Sequence, residues 1–229
     1  IGMSQDGLVA FEPAFADELA VIVEWAFDYL QRDGEGDPDE RTWLRDETGG
    51  SVYLRLTTNP IEQPGQRGHD AFRQGAIDGG YWLRPPGPNC EVVVAYQGAV
   101  APEAIKAAGL IGETRRDVGV LAVTSADRLN AGWTAAQRAR GRGHEQAEAH
   151  IERLMRDLPP HCVLVTMIDG HPATLAWLGS VAGHRTMPLG VEHFGQTGSI
   201  GQLYRHFGLD AATVTELVDV ETVGRPVTK

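Results

Sequence analysis

Two short stretches set histidine and carboxylate beside glycine in a way that could do chemistry. In "TMIDGHPATLAWL" Asp169 and His171 flank Gly170 directly after an apolar run, and in "LGVEHFGQTG" Glu192 and His193 lie between Gly190 and Gly195. A carboxylate beside an imidazole can move a proton or hold a polar substrate, and glycines let the backbone turn sharply or approach a ligand. The same residues also suit ordinary turns. Asp169 can accept from a local amide, Gly170 can take a positive φ, and Thr197 or Ser199 can cap a following helix. For His171 and His193 both readings stay open at this level. The scaffold reading of the second stretch expects Phe194 to be buried as an anchor and Gly195 to adopt a conformation that a side chain disfavours. The other histidines have poorer settings: His69 in a Gly-rich segment, His144 and His150 in a polar loop and an exposed helix, and His161 at a strand entrance.

The strong motifs of catalysis and cofactor binding are missing. There is no Gly-rich loop ending in Lys-Ser or Lys-Thr, no nucleophile elbow and no histidine-glutamate zinc signature. "GAVAPEAIKAAGLIG" follows a strand and opens a helix, but Gly98 stands alone where a dinucleotide fingerprint needs three glycines. The two cysteines, Cys90 and Cys162, begin the apolar runs "CEVVVAY" and "CVLVTMI" and lack metal-ligand spacing. Thiols in buried strands fit a reducing cytosol.

The elements that must carry these residues fall into two unequal parts. In the first, Leu8 to Phe11 read as a short strand, and Pro13 suits a helix's first turn. From Phe15, the residues Leu19, Ile22, Val23, Ala26, Phe27 and Leu30 recur at helical spacing and predict one apolar face. "SVYLRLTT" reads as the next strand, which completes one β-α-β unit. Such a unit cannot cover both faces of a sheet, so its apolar side around Ile22, Phe27 and Leu30 should be covered by the rest of the chain or by a second copy. Residues 61–89, rich in Gly and Pro, read as a linker in which "GAIDGGYWLR" could form a short strand or hairpin arm.

From residue 90 onward the pattern is regular. "CEVVVAYQG", "VGVLAVTS", "HCVLVTMIDG" and "HRTMPLGVEHF" are short apolar strands, and they alternate with "APEAIKAAGLI", "ADRLNAGWTAAQRAR", "HEQAEAHIERLMRDL" and "PATLAWLGSVAG", which read as helices. This alternation predicts an α/β fold whose mostly parallel sheet has helices on both faces. Residues 138–145 should project as a mobile loop. Asp169 and His171 then fall at the carboxyl edge of the sheet, where open α/β folds place ligand loops.

Composition narrows the partners. A chain of 229 residues with 42% hydrophobic and 22% charged residues can bury a full core. Its formal charge of -11 argues against nucleic acid or an anionic membrane as the main partner. There is no apolar run long enough to span a bilayer and no signal-peptide profile, so the sequence reads as soluble and cytoplasmic.

"PLGVEHFGQTGSIGQLYRHFGLDAATV" (188–214) resembles the closing segment of transketolase-like, thiamin-diphosphate-dependent enzymes. Within that superfamily, "GLVAFEPAFADELAVIVEWAFDYL" (7–30), "SVYLRLTTNPIEQP" (51–64) and "GVLAVTSADRLNAGW" (119–133) are similar to segments of the homodimeric E1 component of pyruvate dehydrogenase. The resemblance implies that residues 1–60 are the end of a middle, pyrimidine-binding domain, that 61–89 are a linker, and that 90–229 are a transketolase-like C-terminal domain.

The family's diphosphate-binding residues, activating glutamate and catalytic histidines have no counterpart in these residues. The resemblance therefore implies no catalytic, cofactor or metal ligand in this chain, with thiamin diphosphate and Mg2+ held by a full-length parent. For that parent it implies decarboxylation of a 2-oxo acid with transfer of the acyl group to a lipoyl-bearing E2, and for this chain support of a homodimer and of the active-centre entrance. Thr58 and Asn59 stand where transketolases carry an arginine for the substrate phosphate, and they join Asp169, His171, Glu192 and His193 as entrance candidates. The alternatives are the C-terminal part of a transketolase that moves two-carbon units, and a non-catalytic partner-binding subunit of a split enzyme. The start at Ile1, without an initiator methionine, favours a piece of a longer protein.

Overall fold

The computed structural model describes residues 7–35, 46–64 and 70–222. The N-terminal unit is β1 (Leu8–Phe11), α1 (Ala16–Tyr29) and β2 (Ser51–Leu54). β1 and β2 pair in parallel as a two-stranded sheet, with Leu8 opposite Ser51 and Phe11 opposite Leu54. The helix starts at Ala16 because Glu18, in its first turn, accepts from the amides of Ala14 at 2.7 Å and Phe15 at 2.9 Å. Pro13 thus lies before the helix and not in its first turn.

The buried side of α1 is also rotated from the expected one. Glu18, Val21, Ile22, Ala26 and Tyr29 are buried, whereas Phe27 and Leu30 are 64% and 51% exposed. Two contacts set this rotation. Tyr81 donates its hydroxyl to Glu18 at 2.5 Å, and Trp25 stacks on Tyr29 and meets Phe11 edge-on above β1. Aromatic area is gained on that side in exchange for the aliphatic residues left facing out.

The segment expected to be a linker contains α2 (Asp70–Asp78) and β3 (Gly80–Arg84). β3 is the antiparallel edge strand of a second sheet, pairing with β5 (Gly119–Val123), and Tyr81 meets Phe72 edge-on. The short-strand option therefore holds for Gly80–Arg84, and no hairpin forms, because the partner strand is not its neighbour in the chain. His69 lies outside the described residues.

The body continues as β4 (Val92–Gln97), a 3-10 turn over Gly98–Val100, α3 (Ala101–Ile111), β5 (Gly119–Val123), α4 (Ala126–Gly141), α5 (His150–Met155) and β6 (Val163–Ile168). It closes with α6 (Ala173–Ala176), a 3-10 turn over Trp177–Val181, β7 (Arg185–Leu189), α7 (Ile200–His206) and α8 (Ala211–Thr222). The five strands lie in the order β3-β5-β4-β6-β7, and all neighbouring pairs except β3 with β5 are parallel.

Every residue of β4, β5 and β6 is buried, as a sheet covered on both faces requires. One face packs α3 and α8 through Ala104, Ala107, Ala108, Val214 and Val218; the other packs Leu129, Ile151, Met155, Leu175 and Leu178. Pro102 does occupy the first turn of α3. Helix lengths are less regular than the pattern suggested. α5 keeps only His150–Met155 of its predicted run, and residues 138–141 belong to the end of α4 rather than to a loop. Among the described residues no helix is long and apolar enough to cross a membrane.

The two sheets meet at their carboxyl ends. Ala10 donates its amide to Asp127 at 3.2 Å and accepts from the Ser125 hydroxyl at 2.6 Å, and the Glu12 amide donates to the Thr124 carbonyl at 2.8 Å. Arg128, its side chain 4% exposed, forks onto both oxygens of Asp46 at 2.9 and 3.0 Å and lies over the Trp25 ring.

Candidate functional site

The order of the second sheet has a consequence for ligand binding. From β4 the chain moves to β5 on one side, then crosses to β6 on the other, so β4 and β6 flank the topological switch point. Open α/β sheets leave a crevice beyond the carboxyl ends of such strands. A cleft of about 300 Å³ lies at this point. Its wall is built from strand ends: Ala99 follows β4, Asp169 follows β6, Val191, His193, Phe194 and Gln196 follow β7, and Thr57 and Asn59 follow β2. Ile200, Leu203 and Tyr204 of α7, with Phe207, supply the apolar side.

Charge at the cleft is organised by Arg55. It donates to Glu12 at 2.9 Å and lies 3.6 Å from Asp169. Glu12, Arg55 and Asp169 are each the first residue after a strand, β1, β2 and β6. One guanidinium therefore ties both lobes together at the cleft. Burial pushes the Glu12 carboxyl above its ordinary value, an effect opposed by Arg55. Tyr204 is pushed up to about 12, first by burial and then by the charges of Asp169 and Glu103, so its hydroxyl stays protonated at neutral pH and can donate a hydrogen bond.

The sequence candidates divide accordingly. Asn59, Asp169 and His193 line the cleft. Thr58 is exposed between the lining residues Thr57 and Asn59, and the Asn59 amide donates to the Thr57 hydroxyl at 3.1 Å. Glu192 and His171 are exposed and outside the lining. His171 turns back on its own segment, where Nδ1 accepts from the Ala173 amide at 3.2 Å ahead of α6.

The loop after β7 departs most from expectation. Gly195 has φ +108°, as foreseen, but Phe194 is 98% exposed and anchors nothing in the core. β7 is an edge strand, and the Val191 amide makes the last tie, to Gly170 O at 2.7 Å. A Cβ on Gly190 would come within 2.4 Å of that same oxygen, so only glycine lets the two segments approach this closely. Beyond that point residues 192–199 are all exposed, and Ser199 caps α7 by accepting from the Gln202 amide. With no neighbouring strand or covering helix among the described residues, the Phe194 ring projects over the cleft.

Sequence reasoning placed neither Glu12 nor Arg55 among the entrance candidates. The signal that could have found them is position: both begin immediately after a short apolar strand, as Asp169 does.

The fold is shared with known enzymes. The chain superposes on transketolase from Campylobacter jejuni with 15% identity and a TM-score of 0.56, over 93% of this chain and 26% of that one. Transketolase from Leishmania mexicana gives 16% identity and a TM-score of 0.61, over 92% and 24%. An inactive beta4 tetramer of a split-gene transketolase gives 18% and 0.55, over 96% and 58%. The chain thus spans about a quarter of the length of the first two enzymes. No family model and no curated protein matches the sequence. The architecture is that of a transketolase C-terminal domain preceded by a partial β-α-β unit.

Thiamin diphosphate with Mg2+, the group this fold family implies, does not fit the cleft's donor set. Among the described residues Asp169 is the one carboxylate of the lining and is paired with Arg55, and no group of three His, Cys, Asp or Glu is placed to hold a metal ion. No chemical step through that cofactor follows from these residues alone.

Proposed function

We propose that the chain is the C-terminal portion of a thiamin-diphosphate-dependent enzyme of transketolase type, that it supports a homodimer in the cytoplasm, and that its cleft borders the entrance to an active centre completed by upstream residues. The observation that carries this reading is the placement of the cleft. It lies at the sheet's switch point and is shared by ends of the partial unit and of the C-terminal body, so a substrate approaching from an upstream domain would meet both. In this role Arg55 holds Glu12 and Asp169 in place, while Asn59, His193 and Tyr204 offer hydrogen bonds to the substrate's polar end.

The structural likenesses favour two-carbon transfer between sugar phosphates. A second reading, a pyruvate dehydrogenase E1 component with a lipoyl-bearing E2 as partner, is favoured by a different observation. Among the described residues the cleft lining has no lysine or arginine, and Arg55 behind it already faces two carboxylates. A sugar phosphate carries two negative charges and needs cations, whereas a 2-oxo acid carries one. The deciding experiment joins the chain to its upstream segment and measures ketol transfer from xylulose 5-phosphate and decarboxylation of pyruvate, each with thiamin diphosphate and Mg2+. Activity on one donor alone selects between the two readings. Absence of both activities in a folded protein that binds the cofactor overturns the proposal.

A further inference from the structure

At the opposite end of the body sheet from the cleft, Cys90 precedes β4 and Cys162 precedes β6, and both thiols are free and buried. Their sulfurs are 3.8 Å apart. The register alone would keep them apart. Val92 is opposite Val163, and the Val163 amide donates to Glu91 O at 2.9 Å, so regular alternation would turn Cys90 and Cys162 to opposite faces of the sheet. The turn before β4, where the Cys90 amide donates to Gly87 O at 3.1 Å, brings Cys90 onto the face that Cys162 shares with Val93 and Leu164. Side-chain rotation and a small shift then suffice to bring the sulfurs to the disulfide length of about 2.05 Å.

We propose that Cys90 and Cys162 form a redox modification site, a dithiol that a low-molecular-weight disulfide converts to an intramolecular disulfide. The residues beside them supply the route of entry: Asn89 and His161, each one position earlier in the chain, are exposed in the turns that close this end of the sheet. A small opening of either turn uncovers a sulfur without disturbing the ladder between β4 and β6.

The order of steps follows from the two environments. The hydrogen bond with Cys162 holds the Cys90 thiol below its ordinary value despite burial, and the same contact, with burial, pushes Cys162 up. Cys90 is accordingly the attacking thiolate. Its sulfur bonds to one sulfur of the reagent disulfide, whose S–S bond breaks and releases a thiolate. The Cys162 sulfur then loses its proton and attacks Cys90, expelling the second thiolate. Two protein thiols are oxidised, one reagent disulfide is reduced to two thiols, and the two protein protons end on those leaving groups.

The test uses oxidised glutathione. The folded protein is incubated with it to equilibrium, free thiols are blocked by alkylation, and the digest is mapped by mass spectrometry. The expected result is a Cys90–Cys162 linked peptide pair, no alkylatable thiol after unfolding, and an unfolding constant lowered by on the order of a thousandfold, because the bridge closes a loop across 72 positions. Cys162→Ala and Cys90→Ala, each lacking one of the two sulfurs, should give no bridge and carry at most one glutathione. Two alkylated thiols, glutathione on both cysteines or a bridge between two chains overturns the proposal. If neither variant folds, the wild-type map decides.

Discussion

The two sheets of this molecule obtain their stability in different ways. β4 and β6 are buried at all six positions, while β1 alternates between buried and half-buried residues and β2 between exposed and half-buried ones. A strand covered on both faces draws on its own side chains and its two neighbours. The β1–β2 pair, with one packed face, relies on polar ties to the body: Asp127 and Ser125 on Ala10, Arg128 on Asp46, and Arg55 across to Asp169. The lesson is that the N-terminal unit is held by position-specific charges and hydrogen bonds, which pH and single substitutions can reach more easily than a packed core.

The comparison breaks most severely if a core side chain of the body is truncated without effect. Leu164→Ala, in the middle of β6, should cost about 3 to 5 kcal/mol, measured by denaturant melts. A loss below that of the half-buried Val52→Ala would reverse the contrast between the sheets. Arg128→Ala comes next, at about 2 to 3 kcal/mol, since it removes both the fork on Asp46 and the stack on Trp25. Hydrogen exchange should quicken in β1 and α1 well before β4; uniform quickening would mean that the two lobes unfold as one.

Asp127 sharpens the contrast through pH. Burial, only partly offset by the Ala10 amide, raises its pKa from an ordinary 3.8 to about 6. The folded protein therefore binds this proton more tightly than the unfolded chain does. The stability it contributes is complete below pH 3.8 and is lost as pH rises through about 6. Glu12, also raised by burial, adds in the same direction. Asp127→Asn can still accept from Ala10, so it should flatten the slope and stabilise the protein at neutral pH by on the order of 2 kcal/mol. A melt series from pH 4 to about 7 that is identical in both proteins would show that the carboxyl is already solvated.

Smaller effects complete the series. Val52→Ala should cost about 1 kcal/mol, because only part of its surface is removed from water. Phe194→Ala should change stability by no more than about 0.5 kcal/mol, the opposite of what a buried anchor would give. On the proposed function, the same substitution in the chain joined to its upstream segment should alter the Michaelis constant for the donor more than the melting temperature.

The sequence alone determined the α/β class, the alternation of the body strands and the positive φ of Gly195, because continuous apolar runs and helical spacing are local signals that both-face burial demands. It also placed Asp169 and His193 at strand ends, where the cleft lies. Only the tertiary structure decided which face of α1 is buried, since Phe27 and Leu30 are as apolar as Ile22 and lose their place to Trp25 and Tyr29. It alone exposed Phe194, because an aromatic residue is buried only if a neighbouring element arrives to cover it, and among the described residues none does so beside the edge strand β7. The Glu12–Arg55–Asp169 cluster depends on strands distant in sequence whose ends converge, and no local pattern records that convergence.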